Sequence, residues 1–188
     1  MRRAVFLDRD GVVNAAVRRP SSMPPEDSVY TAPYLVDEFK VFPEVPDVIQ
    51  AIRRLGFLAI VITNQPDVGY GNMTEEAFNE IMRQTRALGF DDIFICRHGR
   101  NEECGCKKPK PGMLFSAAEK WEIDLSRSYI IGDTKSDTLA GQAAGCTTIL
   151  VERPYNKDDR DTAHLLARSL ADAVEIIKKE RTPYENLY

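Results

Sequence analysis

No apolar run in these 188 residues approaches the ~20 needed to cross a membrane as a helix, so no membrane partner is expected. No long basic run occurs and the net charge is -4, which argues against nucleic acid as a main partner. Internal repeats and low-complexity tracts are missing as well. Met1-Arg2-Arg3 leads straight into an apolar stretch, with no room for a signal peptide; the expected location is cytoplasmic. Cysteine is sparse: of 4, all but Cys146 lie between Cys96 and Cys106. That is not the framework of a disulfide-stapled secreted domain, and in a reducing compartment it reads as metal binding. Histidine is sparser still, at 2 residues. What is present, 43% hydrophobic and 29% charged, is the make-up of a globular chain long enough to bury a core. One domain over 1–188, acting as a monomer, is the expectation.

The chain is organised around Val5-Phe6-Leu7-Asp8-Arg9-Asp10-Gly11. Residues 4–7 are an unbroken apolar run, the pattern of a parallel strand covered on both faces. It ends in two carboxylates two positions apart, then Gly11, which permits a sharp turn. Similar runs predict strands at 57–62, 93–95, 129–133 and 147–151. Between them, Val45, Val48, Ile49, Ile52 and Leu55 recur at helical spacing and stop at Gly56. Thr74, followed by Glu75 and Glu76, caps a helix that ends at Gly89. Pro111 opens a helix with Met113, Leu114, Ala117, Ala118 and Trp121 on its inner face. Ser136 or Asp137 opens the next, stopped by Gly145. Ser169 and Asp172 resemble a capping box ahead of a last helix, with fraying from Arg181. Strands alternate with helices, so the fold class is α/β with a mostly parallel sheet. Residues 14–38 form a long Pro- and Ser-rich connection of the kind that is functional or disordered. Arg18 and Arg19 within it suit either a second anionic group or a solvated loop.

In a parallel sheet the strand C-termini share one edge, where open α/β sheets bind ligands. Asp8, Asp10, Thr63 and Asp133 fall at that edge, and Lys107 and Lys108 lie in the loop leaving the 93–95 strand. Each alone has a plainer reading: a solvated Asp-Arg-Asp turn, a strand-end threonine, a surface lysine, a helix-capping aspartate. Their agreement across four predicted strands favours a site. Asp8 and Asp133, with the main-chain carbonyl of residue 10, make an oxygen-rich set suited to Mg2+. Thr63 and Lys108 would take the remaining oxygens of a phosphoryl group. Asp8 is placed to attack phosphorus; Asp10 would protonate the leaving oxygen and then take a proton from water.

Cys96-x-His98-x5-Cys104-x-Cys106 offers three thiolates and an imidazole in one loop, 96–106. That set closes a tetrahedral site with no open position, which predicts structural Zn2+. The alternatives are unrelated residues or a redox pair. The zinc would pin Lys107 and Lys108 over the phosphate site. His164 is expected at the surface or partly buried.

Asp8-Arg9-Asp10-Gly11, Thr63-Asn64-Gln65, Lys108 and Gly132-Asp133-Thr134-Lys135-Ser136-Asp137 together resemble the haloacid dehalogenase (HAD) superfamily of phosphatases. Asn14, the Cys/His loop and Lys107-Lys108-Pro109-Lys110-Pro111-Gly112-Met113 narrow the resemblance to the D,D-heptose 1,7-bisphosphate and histidinol-phosphate phosphatase branch. The resemblance implies a Rossmann-like core without a large cap domain, and Mg2+ at Asp8, Asp10 and Asp133. It also implies Asp8 as nucleophile, Asp10 as acid/base, and substrate binding by Arg9, Asn14, Asn64, Gln65, Lys107 and Thr134. The implied substrate is a small phosphorylated metabolite, a sugar bisphosphate such as D-glycero-D-manno-heptose 1,7-bisphosphate, with histidinol phosphate the alternative. From other classes, a phospho-accepting receiver or a non-catalytic zinc-binding module stays open. The chain departs from the branch at Lys107 (usually Arg), at Pro66-Asp67 (usually Ser-Gly), at Tyr70 (usually Arg) and in a longer 15–38 connection. These departures face the substrate.

Overall fold

The computed structural model describes residues 1–19 and 30–185. Part of the 14–38 connection, residues 20–29, thus lies outside the described residues, as do 186–188. In chain order the strands are β1 (Ala4–Leu7), β2 (Val17–Arg18), β3 (Tyr30–Thr31), β4 (Leu58–Asn64), β5 (Asp92–Cys96), β6 (Tyr129–Gly132), β7 (Thr147–Val151) and β8 (Leu165–Ala167). The α-helices are α1 (Val45–Arg54), α2 (Glu75–Ala87), α3 (Gly112–Trp121), α4 (Lys135–Ala144) and α5 (Leu170–Glu185).

Six strands pair in the order β5-β4-β1-β6-β7-β8, all parallel. β1 lies inside the sheet, with Leu7 facing Val61 on one side and Ile131 on the other. β8 is not among the expected strands. Leu165-Leu166-Ala167 is too short to carry a pattern, and it forms by pairing with the edge of β7.

Alternation along β1 explains why its run is wholly apolar. Val5 and Leu7 point into one core with Val48, Ile49 and Ile52 of α1 and Ala173, Val174 and Ile177 of α5. Ala4 and Phe6 point into the other, with Met113, Leu114 and Ala117 of α3 and Ala140 of α4. Cutting Phe6 back to Ala would cost about 3–5 kcal/mol. α2 sets Phe78, Ile81 and Met82 against Phe39 and Met73 in a third cluster that also touches Ile93 and Ile95 of β5.

Helix ends follow the sequence closely. Thr74 Oγ1 accepts from Ala77 N at 3.2 Å, the cap expected of it. Pro111 is the N-cap of α3 rather than its first residue. α4 opens at Lys135, earlier than expected, because Thr134 is the N-cap and Asp137 reaches back to its amide at 3.0 Å. At α5, Ser169 Oγ accepts from Asp172 N at 3.1 Å, while the Asp172 carboxylate takes Arg168 N at 2.9 Å. The capping pair is therefore shifted by one residue at its acidic end. The helix continues to Glu185, beyond the fraying expected from Arg181.

Within the 14–38 connection, β2 and β3 form a small antiparallel ribbon, Val17 facing Thr31 and Arg18 facing Tyr30. Arg19 fastens it. Its guanidinium donates to both oxygens of Glu38 at 2.5 and 2.6 Å and to Thr31 Oγ1 at 3.0 Å, and it lies 4.1 Å from the centre of the Tyr34 ring. Arg19 is thus committed to the ribbon and not offered to a second anionic group; Arg18 is exposed. Among the described residues no helix is long and apolar enough to cross a membrane.

Candidate active site

With all six strands parallel, Asp8, Thr63, Asn64 and Asp133 are carried to one edge of the sheet, as expected. Asp8 N still donates to Ile131 O at 2.9 Å, so the strand geometry holds right up to the carboxylate. The chain then turns sharply. Gly11 sits at φ +93°, and a Cβ there would lie 1.9 Å from Asp133 Oδ2. Only glycine allows the turn and the close approach together.

Lys108 reaches in from the loop after β5. Its Nζ donates to Asp8 Oδ1 at 2.7 Å, Asp137 Oδ1 at 2.5 Å and Ile62 O at 3.0 Å. Asn64 fixes its backbone, donating to Lys108 O and accepting from Lys108 N, each at 3.1 Å. Burial opposes the ammonium charge, but the Asp137 and Asp8 carboxylates outweigh it and hold the Lys108 pKa above its ordinary range. Burial pushes the Asp8 carboxyl up to about 7, against the pull of Lys108 and with repulsion from Asp137 and Asp10. Asp133 is raised well above the carboxylate range by burial, then by Asp8 and Asp137.

Asp8, Asp133 and Asp137 each place a carboxylate oxygen within 4.8 Å of the others. Asp133 Oδ2 accepts from the Tyr155 hydroxyl, while Asp133 Oδ1, buried, has no partner. An unpartnered carboxylate oxygen in an acidic cluster is costly in the absence of a cation, and hard oxygen donors fit Mg2+. The expected set was the Asp8 and Asp133 carboxylates with the main-chain oxygen of Asp10; the cluster adds the carboxylate of Asp137, a residue of the 132–137 motif that was also expected to cap a helix. Gly132 makes room for it, since a Cβ there would lie 2.1 Å from Asp137 Cβ.

Asp10 instead faces a different set of partners. Its carboxylate accepts from Arg9 Nε and Nη2 at 3.1 and 3.0 Å, from Asn14 Nδ2 at 3.0 Å and from Gln65 Nε2 at 2.6 Å. Gln65 also donates to Thr63 Oγ1 at 2.8 Å. Arg9, Asn14 and Gln65 were expected to bind substrate. They are buried at 0%, 0% and 1% exposure, do not line the cavity, and orient Asp10 from behind. Strand-end spacing puts a residue at the edge but does not say which way its side chain turns. Thr63, likewise buried, touches Gln65 rather than the cavity wall.

The cavity itself is about 340 Å3. Of the expected residues, Asp8, Asp10, Asn64, Lys107, Lys108, Asp133 and Thr134 line it. Tyr30, Tyr34, Asp67, Tyr70, Arg100, Ser136 and Tyr155 line it too. Tyr70 and Asp67 were flagged as departures from the branch. Ser136, in α4, was marked as a helix opener and motif residue; Tyr30, Tyr34, Arg100 and Tyr155 carry no signal in sequence, since each lies in irregular chain or in the two-residue strand β3.

The Cys/His loop closes as predicted. Cys96 Sγ lies 3.5 Å from His98 Nδ1 and 3.9 Å from Cys104 Sγ, and Cys106 Sγ lies 3.3 Å from His98 Nδ1. Ligands on a tetrahedral zinc stand about 3.3–3.8 Å apart, given bonds of 2.0–2.3 Å, so the cluster can hold a metal ion of that kind. All its cysteines are free thiols. Lys107 Nζ donates to His98 O at 3.0 Å and Gly112 N to Gly105 O at 3.0 Å, which ties the loop to the segment carrying Lys108. His164, exposed, engages Thr148 at 3.0 Å and belongs to no metal-ligating cluster among the described residues.

A central strand delivering a carboxylate to a buried lysine and an acidic cluster, at the ligand edge of a parallel sheet, is the arrangement of a HAD-like hydrolase. The family model for HAD-hydrolase-like proteins matches residues 105–173. The chain is 33% identical to the D-glycero-beta-D-manno-heptose-1,7-bisphosphate 7-phosphatase of Escherichia coli (strain K12), covering 96% of each protein. It is 31% identical to the enzyme of that name from Pasteurella multocida, over 95% of this chain and 98% of the relative. Among solved structures, D,D-heptose 1,7-bisphosphate phosphatase from B. bronchiseptica, complexed with magnesium and phosphate, superposes with a TM-score of 0.76 at 27% identity, over 95% of this chain and 99% of that one. The chain belongs to the heptose 1,7-bisphosphate phosphatase family within the HAD superfamily. That membership sets aside the receiver and the non-catalytic zinc module.

Proposed function

We propose that this phosphatase removes one phosphate from a small sugar bisphosphate, with D-glycero-D-manno-heptose 1,7-bisphosphate as the first candidate, as a cytoplasmic monomer. The observation that carries the reading is the Asp8–Lys108 pair at 2.7 Å on the cavity wall, beside the unpartnered Asp133 oxygen. Asp8 attacks phosphorus in line, and the sugar oxygen leaves as the Asp8–phosphorus bond forms. Asp10 gives that oxygen its proton. It then takes a proton from the water that cleaves the aspartyl-phosphate, releasing inorganic phosphate. Arg9, Asn14 and Gln65 hold the Asp10 carboxylate where both transfers are possible. Lys108 balances the charge of the phosphoryl oxygens; Thr63, accepting from Gln65 behind the cavity wall, helps to hold the amide that orients Asp10. Mg2+ held by Asp8, Asp133 and the main-chain oxygen of Asp10 would neutralise the phosphoryl charge. Asp137 then serves as the second carboxylate on Lys108. Zn2+ on Cys96, His98, Cys104 and Cys106 would fix the loop that carries Lys107 and Lys108.

The relatives' shared name supports the substrate, and two cavity-lining cations suit its second phosphate. Lys107 is one. Arg100, which makes no hydrogen bond or ion pair among the described residues, is the other. The test is phosphate release by the purified protein with Mg2+ from heptose 1,7-bisphosphate, heptose monophosphates and histidinol phosphate. Preference for the bisphosphate, abolished in Asp8→Asn, is expected. Preference for histidinol phosphate would overturn the substrate; unimpaired turnover by Asp8→Asn would overturn the mechanism.

A further inference from the structure

The segment following β7 holds both sides of the site. Arg153 Nε and Nη2 donate to Gly11 O at 2.9 and 2.7 Å, on the turn that follows Asp8 and Asp10. Asn156, 3% exposed, donates to Asp133 O at 2.7 Å and Val151 O at 2.8 Å, and accepts from Arg153 N at 2.8 Å. Tyr155 is suspended between these two anchors. Its hydroxyl donates to Asp133 Oδ2. A Cβ on Gly11 would lie 2.7 Å from that hydroxyl oxygen, so the turn is shaped to leave the bond room. On its other side the Tyr155 ring stacks on Tyr30 of β3, centroids 4.3 Å apart and planes at 34°.

We propose that Tyr155 is the positioning residue for Asp133, and that its ring makes the β2–β3 ribbon a support for the cation site. The proposal rests on the reading of Asp133 as a Mg2+ ligand. A carboxylate held through one oxygen cannot rotate freely. With Oδ2 tied to Tyr155, Oδ1 is the oxygen left for a cation, and it is the one without a partner. Partners behind a ligating carboxylate typically change metal affinity 10–100-fold when removed. Tyr30 adds a second link: a ribbon seated on Tyr155 keeps the phenol aimed, and a ribbon lifted away releases it. The cavity that Tyr30 and Tyr155 both line is thereby coupled to the cation, and binding in one favours binding in the other.

The experiment is calorimetric titration of Mg2+ into the full-length protein, with melting temperature recorded without Mg2+. Asp133→Asn is the control and should abolish binding. Tyr155→Phe keeps the stacked ring and loses only the hydroxyl; it should melt near wild type and bind Mg2+ about 10-fold more weakly. Tyr30→Leu should also weaken binding, but add nothing in a Tyr155→Phe background. Binding that survives Asp133→Asn overturns the reading of the cation site itself. Loss in Asp133→Asn with wild-type or tighter binding in Tyr155→Phe overturns this inference alone. Additive losses from Tyr30→Leu and Tyr155→Phe, or no loss from Tyr30→Leu, overturn the link to the ribbon.

Discussion

Asp8 and Lys108, 100 positions apart in the chain, meet at 2.7 Å where neither is more than 8% exposed. A pair so placed is weak support for stability, because both ions lose their water. Its value lies in what it prepares: a carboxylate aimed into the cavity and a cation already positioned for the phosphoryl group that must approach it. Asp137, at 2.5 Å from the same ammonium, makes the arrangement a triad.

Lys108→Met takes the cation from between two buried carboxylates and leaves them facing each other. Breaking a buried pair in this way costs about 3–5 kcal/mol. The variant should melt well below wild type in metal-free buffer at neutral pH and release no measurable phosphate. The gap should narrow at acid pH, where protonation relieves the repulsion. An unchanged melting temperature would mean the triad is not the buried contact described here.

The raised carboxyls of Asp8 and Asp133 set a sign for the pH profile. A carboxyl titrating higher in the folded state binds more protons there, so its ionisation costs stability. In metal-free protein this part of the stability is greatest below the ordinary carboxylate range and falls as pH rises toward about 7, where Asp8 titrates. Saturating Mg2+ should flatten that slope by compensating the ionised forms. Melting curves at intervals from pH 4.5 to 8, with and without Mg2+, compared with Asp8→Asn, check it; the opposite slope refutes it.

Cys104→Ser should lower bound zinc, measured by elemental analysis, and lower the melting temperature, with substrate binding weakened more than turnover. A strong chelator should do the same to wild type. Full zinc content and wild-type melting in Cys104→Ser would show that the loop needs no metal on that thiol.

Much of this site was legible because two signals coincide at Asp8, Thr63 and Asp133: an apolar run long enough to be a strand, and a polar residue where it stops. Parallel pairing then brings them to one edge without further information. The Cys/His loop was legible from ligand chemistry and spacing alone. Side-chain direction was not. Arg9, Asn14 and Gln65 lie at the right edge, yet turn inward to Asp10, because the Gly11 turn folds the chain back over that carboxylate. Asp137 was visible as a capping residue, and its second contact with Lys108 depends on Gly132 letting α4 approach β6. Arg153, Tyr155 and Asn156 sit in irregular chain, where neither a period nor a cap marks a residue out. β8 formed where a short apolar piece met an available edge, a tertiary event with no local pattern behind it.

The interior position of β1 bears on how the protein is made. β1 precedes both its neighbours in the chain, so it is flanked only when β4 and then β6 have been synthesised, and Asp8 waits for Lys108 and for the carbonyl of Ile131. Until those segments emerge, its apolar run has no lasting cover, the condition under which nascent chains are most prone to stick to one another. Fragments ending before β6 should accordingly be both inactive and insoluble, so the enzyme should tolerate neither premature termination nor assembly from halves divided within the sheet.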